Sequence, residues 1–275
     1  MNDSIPLLDV CSIMKQFKKK STIVEALKPL SFTMSKGEIL GVVGESGSGK
    51  STLLRLLTRL DSPTGGQINL YGKDIVKLHG KDTQDVYRNI QMIFQNPAGS
   101  FNPRRKLRSS IIENMQRLLP YASKAEHNLE IDRLLERVGI SVDLADRYPH
   151  NLSGGQCQRV AIARALSTKP RILLCDEITS ALDVSAQARV IKLLLEFNKE
   201  LGVAIIFVSH DLSLACNFCE NVMVLYRGSC VESGNSGKIV NDPNHVYTKE
   251  LLASVIDPID FLERKRSILH AGSIS

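Results

Sequence analysis

The segment Gly44-Glu-Ser-Gly-Ser-Gly49-Lys50-Ser51 constrains the fold of this chain more than any other feature. It matches the pattern G-x-x-x-x-G-K-[ST] in full, directly after the apolar run 39–43 and directly before a helical rhythm at 50–60. Glycines in such a loop let backbone N–H groups surround phosphate oxygens, and the helix that follows adds a favourable field. The alternative is a glycine-rich turn without a ligand. The pattern favours a phosphate-binding loop in an α/β fold.

Short apolar runs alternate with helix-period segments along the rest of the chain, which indicates a largely parallel sheet. The predicted strands are 7–17, 30–34, 39–43, 67–71, 91–94, 171–175, 203–208 and 222–226. Residues 96–169 differ, because they open with Asn-Pro turns and continue through helical patterns without a convincing strand. The helices there are predicted near 108–119, 124–138 and 155–168. We interpret this part as an inserted helical subdomain.

The domain division follows from these patterns. We expect one α/β domain at residues 1–240, with the helical subdomain at about 96–169, and a short C-terminal extension at 241–275. The extension begins with polar turns, contains a short helix near 247–255 and ends in a basic tail.

Composition excludes several classes of protein. The chain has 275 residues, of which 43% are apolar and 23% charged, so it can bury a core and is neither disordered nor collagen-like. No apolar run approaches the roughly 20 residues that a membrane-spanning helix needs. The first ten residues lack a basic start followed by an apolar run, so no secretory signal is predicted. The formal charge of +6 is compatible with nucleic acid, an anionic membrane surface or anionic small ligands.

Six cysteines are spread through apolar or helical contexts, which favours reduced thiols in a cytosolic protein. Cys216 and Cys219 form a lone C-x-x-C. A zinc site would need a second pair of ligands and a redox motif would need a thioredoxin-like context. We interpret the pair as two thiols packed on a helix.

Two carboxylates, Asp176 and Glu177, follow the apolar run 172–175. A buried parallel strand presents its carboxyl end at the ligand crevice of an open α/β sheet. Asp176 there could hold Mg²⁺ together with the Ser51 hydroxyl, and Glu177 could polarise an attacking water. The alternative is a strand that simply leaves the core through acidic residues.

Ser153-Gly-Gly-Gln156 stands immediately before a predicted helix and offers a second anion-binding helix start, without a lysine. One nucleotide does not need two phosphate sites about a hundred residues apart. A second copy could supply the other site, so that each nucleotide is enclosed between two chains. The simpler alternative is that Ser153 only caps the helix.

His210 and Gln95 each follow an apolar strand. A histidine at that edge could hydrogen-bond a γ-phosphate, and an amide could contact metal or water. A lone histidine in such a position is also often a cap or an ordinary surface residue.

The strings GESGSGKST, IFQNP, LSGGQ, ILLCDE, SALD and SHD occur in that order and resemble the nucleotide-binding subunit of ATP-binding-cassette transporters. The resemblance extends over residues from about 5 to 255. It implies a P-loop domain with a mostly parallel central sheet, an antiparallel β portion near the N-terminus and the inserted helical subdomain. It also implies ATP hydrolysis with Mg²⁺.

The resemblance assigns roles to individual residues. The phosphate loop is Gly44, Glu45, Ser46, Gly47, Ser48, Gly49, Lys50, Ser51 and Thr52, and the signature segment is Ser153, Gly154, Gly155 and Gln156. Ser51, Gln95 and Asp176 would be on the metal side, Glu177 would be the catalytic base and His210 the γ-phosphate switch. Asp183 would lie in the loop between two subunits, and Phe17 would stack on adenine, although a strand phenylalanine is equally often a core residue.

Longer strings resemble importer ATPases for oligopeptides, dipeptides and nickel, specifically the second of the two ATPase subunits of that group. These are RNIQMIFQNPAGSFNPRRKL, RYPHNLSGGQCQRVAIARAL, DEITSALDVSAQARVIKLL and DPNHVYTKELLASVIDP. In the last string Val246 stands where the family usually has proline. No cysteine cluster follows residue 230, so the iron–sulfur motif of some relatives is absent.

The resemblance also implies partners. They are a second, non-identical ATPase subunit, two transmembrane permeases and an extracellular substrate-binding protein, with this chain peripheral at the cytoplasmic face of the membrane and no nucleic acid. A P-loop kinase or GTPase lacks LSGGQ, and DNA- or ribosome-acting cassette proteins usually carry coiled-coil inserts or two cassettes. An exporter ATPase is the alternative with the same site chemistry. Peptide, nickel and metal chelate all remain open as cargo.

Overall fold

The computed structural model describes residues 5–19, 22–180 and 182–255, and these form two sheets with helices around them. The smaller sheet is antiparallel, with strand order β2-β1-β4-β5. Its strands are β1 (Leu8–Lys19), β2 (Thr22–Met34), β4 (Gly65–Leu70) and β5 (Lys73–Asp74). This is the antiparallel portion that the family resemblance implied.

The larger sheet has six strands in the order β10-β9-β3-β8-β7-β6. All neighbours in it are parallel except the edge pair β10 and β9. Its strands are β3 (Ile39–Val43), β6 (Ile90–Ile93), β7 (Ile172–Asp176), β8 (Ala204–Ser209), β9 (Asn221–Tyr226) and β10 (Ser229–Asn235). Because β3, β8, β7 and β6 are consecutive neighbours and parallel, the residues after their last positions meet at one edge of the sheet.

Nine α-helices surround the sheets in the described part of the chain. They are α1 (Lys50–Leu57), α2 (Thr83–Asn89), α3 (Leu107–Leu118), α4 (Lys124–Arg137), α5 (Gly154–Leu166), α6 (Val184–Leu201), α7 (Leu212–Phe218), α8 (Ser236–Asn241) and α9 (Val246–Val255). Between β6 and β7 the structure contains only helices and turns, which confirms the helical insert. Among the described residues, no helix combines the length and apolar character needed to span a bilayer.

The central strands are buried on both faces, which is why they read as continuous apolar runs. Ile39 and Val43 of β3 belong to a core shared with the helical insert and α5 to α7. Leu40 and Val42 point to the opposite face, where α1 and the antiparallel sheet complete a second core. The sheet therefore separates two cores and exposes its ends, where polar residues can act.

Some elements differ from the sequence prediction. β2 begins at Thr22 rather than at residue 30. The sequence pattern did not indicate the first half of this strand, because that half is mostly exposed. The two-residue β5, the polar β10 and the helices α2, α6 and α8 were missed, and α1 ends at Leu57 rather than at residue 60. The boundaries of the predicted domains stay a prediction. The basic tail near residue 263 lies outside the described residues.

Candidate active site

The phosphate-loop sequence lies between the buried strand β3 and helix α1 and is shaped by its glycines. Gly44 has φ +149°, and a Cβ atom there would lie 2.1 Å from the carbonyl oxygen of Leu225. Gly49 has φ +108°, and its Cβ atom would lie 2.7 Å from the carbonyl oxygen of Ala26. Only glycine fits at both positions, so the backbone of the loop curls tightly at the start of α1.

The interior of this loop presents groups suited to phosphate. The Ser48 hydroxyl is buried and has no hydrogen-bond partner among the described residues. The first N–H groups of α1 have no partner within the helix and carry its positive end. Glu45, Ser46 and Gly47 are exposed at the mouth of the loop. A polyphosphate fits this donor set.

Lys50 is buried and its ammonium is bound on several sides. Its Nζ donates to the carbonyl oxygens of Gly44 at 2.6 Å and Glu45 at 3.0 Å, and it lies 3.4 Å from Glu177 Oε1. A buried cation next to open N–H groups makes the loop a strong anion site.

Ser51 and Asp176 form a hydroxyl–carboxylate pair across the gap between α1 and the end of β7. Ser51 Oγ donates to Asp176 Oδ1 at 3.3 Å. Burial raises the pKa of Asp176, while the Ser51 hydrogen bond acts in the opposite direction. Mg²⁺ at phosphate sites usually takes one or two such protein oxygens and completes its octahedron with substrate and water, so this pair fits the ion. The described residues contain no cluster of three or more His, Cys, Asp and Glu that could hold a metal alone.

Glu177 is the point at which the site residues meet. Gln95 Nε2, after β6, donates to Glu177 Oε2 at 3.1 Å, and His210 Nδ1, after β8, lies 3.8 Å from the same oxygen. Lys50 approaches the other carboxylate oxygen, as described above. The side chain of Glu177 is 19% exposed, so it is sheltered yet reachable by water.

The backbone of Glu177 is strained. Its φ of +46° is rare for a residue with a Cβ atom, and its N–H donates to the Val208 carbonyl oxygen at 3.1 Å. Strain of this kind costs of order 1–3 kcal/mol and is common where function fixes the position of a side chain.

The signature segment lies apart from this cluster. Ser153 caps α5, since its Oγ accepts from Gln156 N while the Gln156 side chain accepts from Ser153 N. No hydrogen bond or ion pair within the described ranges joins this segment to the phosphate loop. Cβ atoms at Gly154 and Gly155 would meet no atom within 4 Å.

In the described part of the chain, neither Asp183 nor Phe17 forms a hydrogen bond or ion pair with the site carboxylates. Asp183 is exposed and caps α6, with its Oδ1 accepting from Ala186 N at 2.8 Å. Phe17 is 42% exposed on β1, with the Lys15 ammonium 4.9 Å from its ring centroid. Phe17 is therefore a surface aromatic rather than a core residue.

Sequence reasoning missed Tyr247, in α9. Its hydroxyl oxygen accepts the N–H of Glu45, inside the phosphate loop, at 2.9 Å. The two residues are separated by 202 positions, and no local pattern connects them. The only signal was that Tyr247 lies in the C-terminal string that resembles the importer group.

The cysteines have no visible part in the site. All six are free, and burial raises the pKa of Cys216 to about 12. Cys216 lies in α7 and Cys219 ends it, as thiols packed on a helix should.

Comparisons with known proteins agree with this geometry. The family model described as "ABC transporter" matches residues 27–180, more than half of the chain. The chain is 43% identical to the oligopeptide transport ATP-binding protein OppF of Haemophilus influenzae, over 92% of this chain and 76% of that protein. It is 42% identical to the dipeptide transport ATP-binding protein DppF of Escherichia coli, over 94% of this chain and 80% of that protein.

A solved structure has the same architecture. It is a dimeric ATP-binding cassette in a post-hydrolysis state with ADP and Pi, 30% identical, with a TM-score of 0.77 over 83% of this chain and 98% of that chain. The chain belongs to the ABC transporter family and is one of its ATP-hydrolysing, ATP-binding proteins.

Proposed function

We propose that this chain hydrolyses Mg²⁺-ATP to drive import of di- or oligopeptides through separate membrane permeases, as one of two ATPase subunits. The observation that carries the proposal is the position of Glu177, held by Gln95, His210 and Lys50 beside the phosphate loop. This position supports a role for Glu177 in accepting a proton from a water molecule next to a bound γ-phosphate.

Binding comes first in the mechanism. The open N–H groups among residues 46–52 and the Lys50 ammonium would bind the β- and γ-phosphates. Ser51 and Asp176, with the Gln95 amide, would hold Mg²⁺, which neutralises charge on the phosphate oxygens. Phe17, exposed on β1, would stack on the adenine.

Hydrolysis uses the groups around Glu177. The oxygen of a water bonds to the γ-phosphorus, the bond from that phosphorus to the β–γ bridging oxygen breaks, and ADP leaves with the electron pair. Glu177 accepts the proton of the water, Gln95 orients that water, and His210 donates to a γ-phosphate oxygen. Gln95, Glu177 and His210 follow three neighbouring parallel strands, so the pairing of these strands keeps the three side chains together.

The signature segment supports a composite site. Its helix start is exposed, and no described residue comes within 4 Å of a Cβ atom at either of its two glycines. Bare N–H groups at a helix N-terminus suit the γ-phosphate of a nucleotide held by another chain. The exposed Asp183 would lie near the same interface. The dimeric state of the solved relative supports this pairing, and we propose a non-identical ATPase subunit as the partner.

Peptide is the proposed cargo because both relatives described above are named for oligopeptide or dipeptide transport. Delivery by an extracellular binding protein, and a peripheral position at the cytoplasmic face of the membrane, complete the proposal. Nickel, a metal chelate and export are the alternative outcomes of its test.

The test compares uptake of a radiolabelled tripeptide and of radiolabelled nickel in cells that express either the wild-type chain or Glu177→Gln. We expect peptide uptake to be lost with Glu177→Gln and nickel uptake to stay unchanged. Loss of nickel uptake alone would overturn the peptide assignment, and accumulation of peptide in the variant cells would indicate export. Mass spectrometry of the complex purified through this chain identifies the second ATPase and any binding protein.

A further inference from the structure

The segment between β10 and α9 is fixed to the rest of the protein by a series of hydrogen bonds. The carboxylate of Glu232, on β10, accepts the N–H groups of Asn244 at 2.8 Å and His245 at 3.1 Å. His245 Nδ1 then accepts the N–H of Tyr247 at 3.1 Å. These bonds fix the first turn of α9, so the position of Tyr247 is set by the fold.

Tyr247 is 5% exposed, and its ring packs against Tyr226 at the end of β9. The two ring centroids lie 4.2 Å apart with the planes tilted by 33°. The end of β9 and the turn that follows it both lie against the phosphate loop. Leu225 O closes over Gly44, and Gly228 N donates to Ser48 O at 3.0 Å.

One peptide unit of the phosphate loop is held from both sides. Its carbonyl oxygen belongs to Gly44 and accepts from Lys50 Nζ at 2.6 Å, while its N–H belongs to Glu45 and donates to the Tyr247 hydroxyl. A peptide plane with both polar ends bonded cannot rotate without breaking a bond. Burial also raises the pKa of Tyr247, which keeps its hydroxyl neutral.

We infer that Tyr247 is a positioning residue for nucleotide binding: its hydroxyl fixes the Gly44–Glu45 peptide and thereby couples α9 to the occupancy of the phosphate loop. The inference rests on the proposed assignment of this loop as the ATP site. Tyr247 acts through the loop and not on the nucleotide. Because such coupling is reciprocal, bound nucleotide must stabilise the first turn of α9.

The variant Tyr247→Phe tests the positioning role because it keeps the ring and removes only the oxygen. The partly buried Glu45 N–H then loses its acceptor, and we expect the KM for ATP of the assembled transporter to rise about 3- to 30-fold. The kcat should change less than about twofold, since the groups around Glu177 are untouched. Tyr226→Phe is the matched control, because no hydrogen bond of its hydroxyl is found in the described part of the chain.

An unchanged KM in Tyr247→Phe, with or without a lower melting temperature, would reduce the hydroxyl to a structural role and overturn the inference. If the wild-type chain itself binds no ATP, the proposed function fails instead, so the two failures are distinguishable.

A second measurement needs no variant. Hydrogen exchange of the full wild-type chain is followed with and without saturating ATP. We expect ATP to slow exchange in residues 247–252 as well as in α1. Protection confined to α1 would show that α9 is not coupled to the site and would overturn the inference.

Discussion

Two glycine-containing segments of this protein, the phosphate loop and the signature segment, each precede a helix. They differ in the space that surrounds their glycines. In the phosphate loop, Gly44 and Gly49 are enclosed by backbone oxygens at 2.1 Å and 2.7 Å from their would-be Cβ atoms. In the signature segment, Gly154 and Gly155 face open space. The described fold explains the first pair of glycines, and the proposed contact with a second chain would explain the second pair.

The same contrast holds for side chains. The phosphate loop is contacted by Asp176, at the end of β7, and by Tyr247, in α9. Glu177 beside it is contacted by Gln95, after β6, and by His210, after β8. Within the described ranges, the side chains of Ser153 and Gln156 hydrogen-bond only to each other's backbone N–H groups. The phosphate loop is thus held by distant parts of the fold, whereas the signature segment is exposed, as the proposed composite site requires.

Removing the negative charge of Glu177 should have the largest effect on ATP hydrolysis. Glu177→Gln removes the proton acceptor but keeps the shape, so we expect ATP hydrolysis by the assembled complex to fall by about 10²- to 10⁴-fold. ATP binding should persist. Steady-state hydrolysis and equilibrium nucleotide binding check both parts.

Glu200→Gln is the control for this change, since Glu200 pairs with Arg137 far from the loop and should leave turnover unchanged. Unaltered hydrolysis in Glu177→Gln would mean that another group accepts the proton.

The second prediction concerns Gly44, which the Leu225 carbonyl oxygen encloses most closely. Gly44→Ala places a methyl group against the Leu225 carbonyl oxygen, and backbone atoms must move to admit it. We expect a loss of about 3 kcal/mol in the free energy of unfolding and weaker nucleotide binding. Thermal unfolding would show this as a fall of about 6–12 °C in Tm. A Tm within a degree of the wild-type value would contradict the tight enclosure.

The third prediction separates capping from partner binding. Ser153→Ala removes the N-cap of α5 and Ser123→Ala removes the same type of capping box from α4, with Glu126 in the place of Gln156. Each should cost about 1 kcal/mol of stability. Only Ser153→Ala should also reduce hydrolysis by the assembled complex. Equal, unreduced activity in both variants would leave Ser153 as a helix cap alone.

The sequence predicted those parts of the fold and site that depend on local pattern. β3 was predicted with its observed bounds, because a strand buried on both faces is a continuous apolar run with sharp ends. Asp176 and Glu177 were assigned to the crevice because the carboxyl ends of parallel strands share an edge. The exposed half of β2 could not be recognised, since its alternation carries no buried stripe.

Long-range contacts were beyond the sequence. Strand order alone decides that Gln95 and His210 both reach Glu177, because β7 lies between β6 and β8. The bond from Glu45 to Tyr247 depends on how α9 packs after the sheet has formed. Non-local packing leaves no period or spacing in the chain. The family resemblance assigned Gln95, Glu177 and His210 to one site, but no pattern indicated the contact of Tyr247.

The smallest expected effect has the opposite sign to that of Gly44→Ala. Gly155→Ala adds a methyl group that meets no described residue within 4 Å, in the first turn of α5, where alanine favours the helix. The isolated chain should gain about 0.5–1 kcal/mol of stability and bind ATP as before. In the assembled complex the same methyl group would stand between the helix N-terminus and the partner's phosphate, so hydrolysis should fall. Thermal unfolding of the chain and hydrolysis by the complex, measured on the same variant, separate these effects. A variant that is more stable and fully active would show that the open glycines serve no partner.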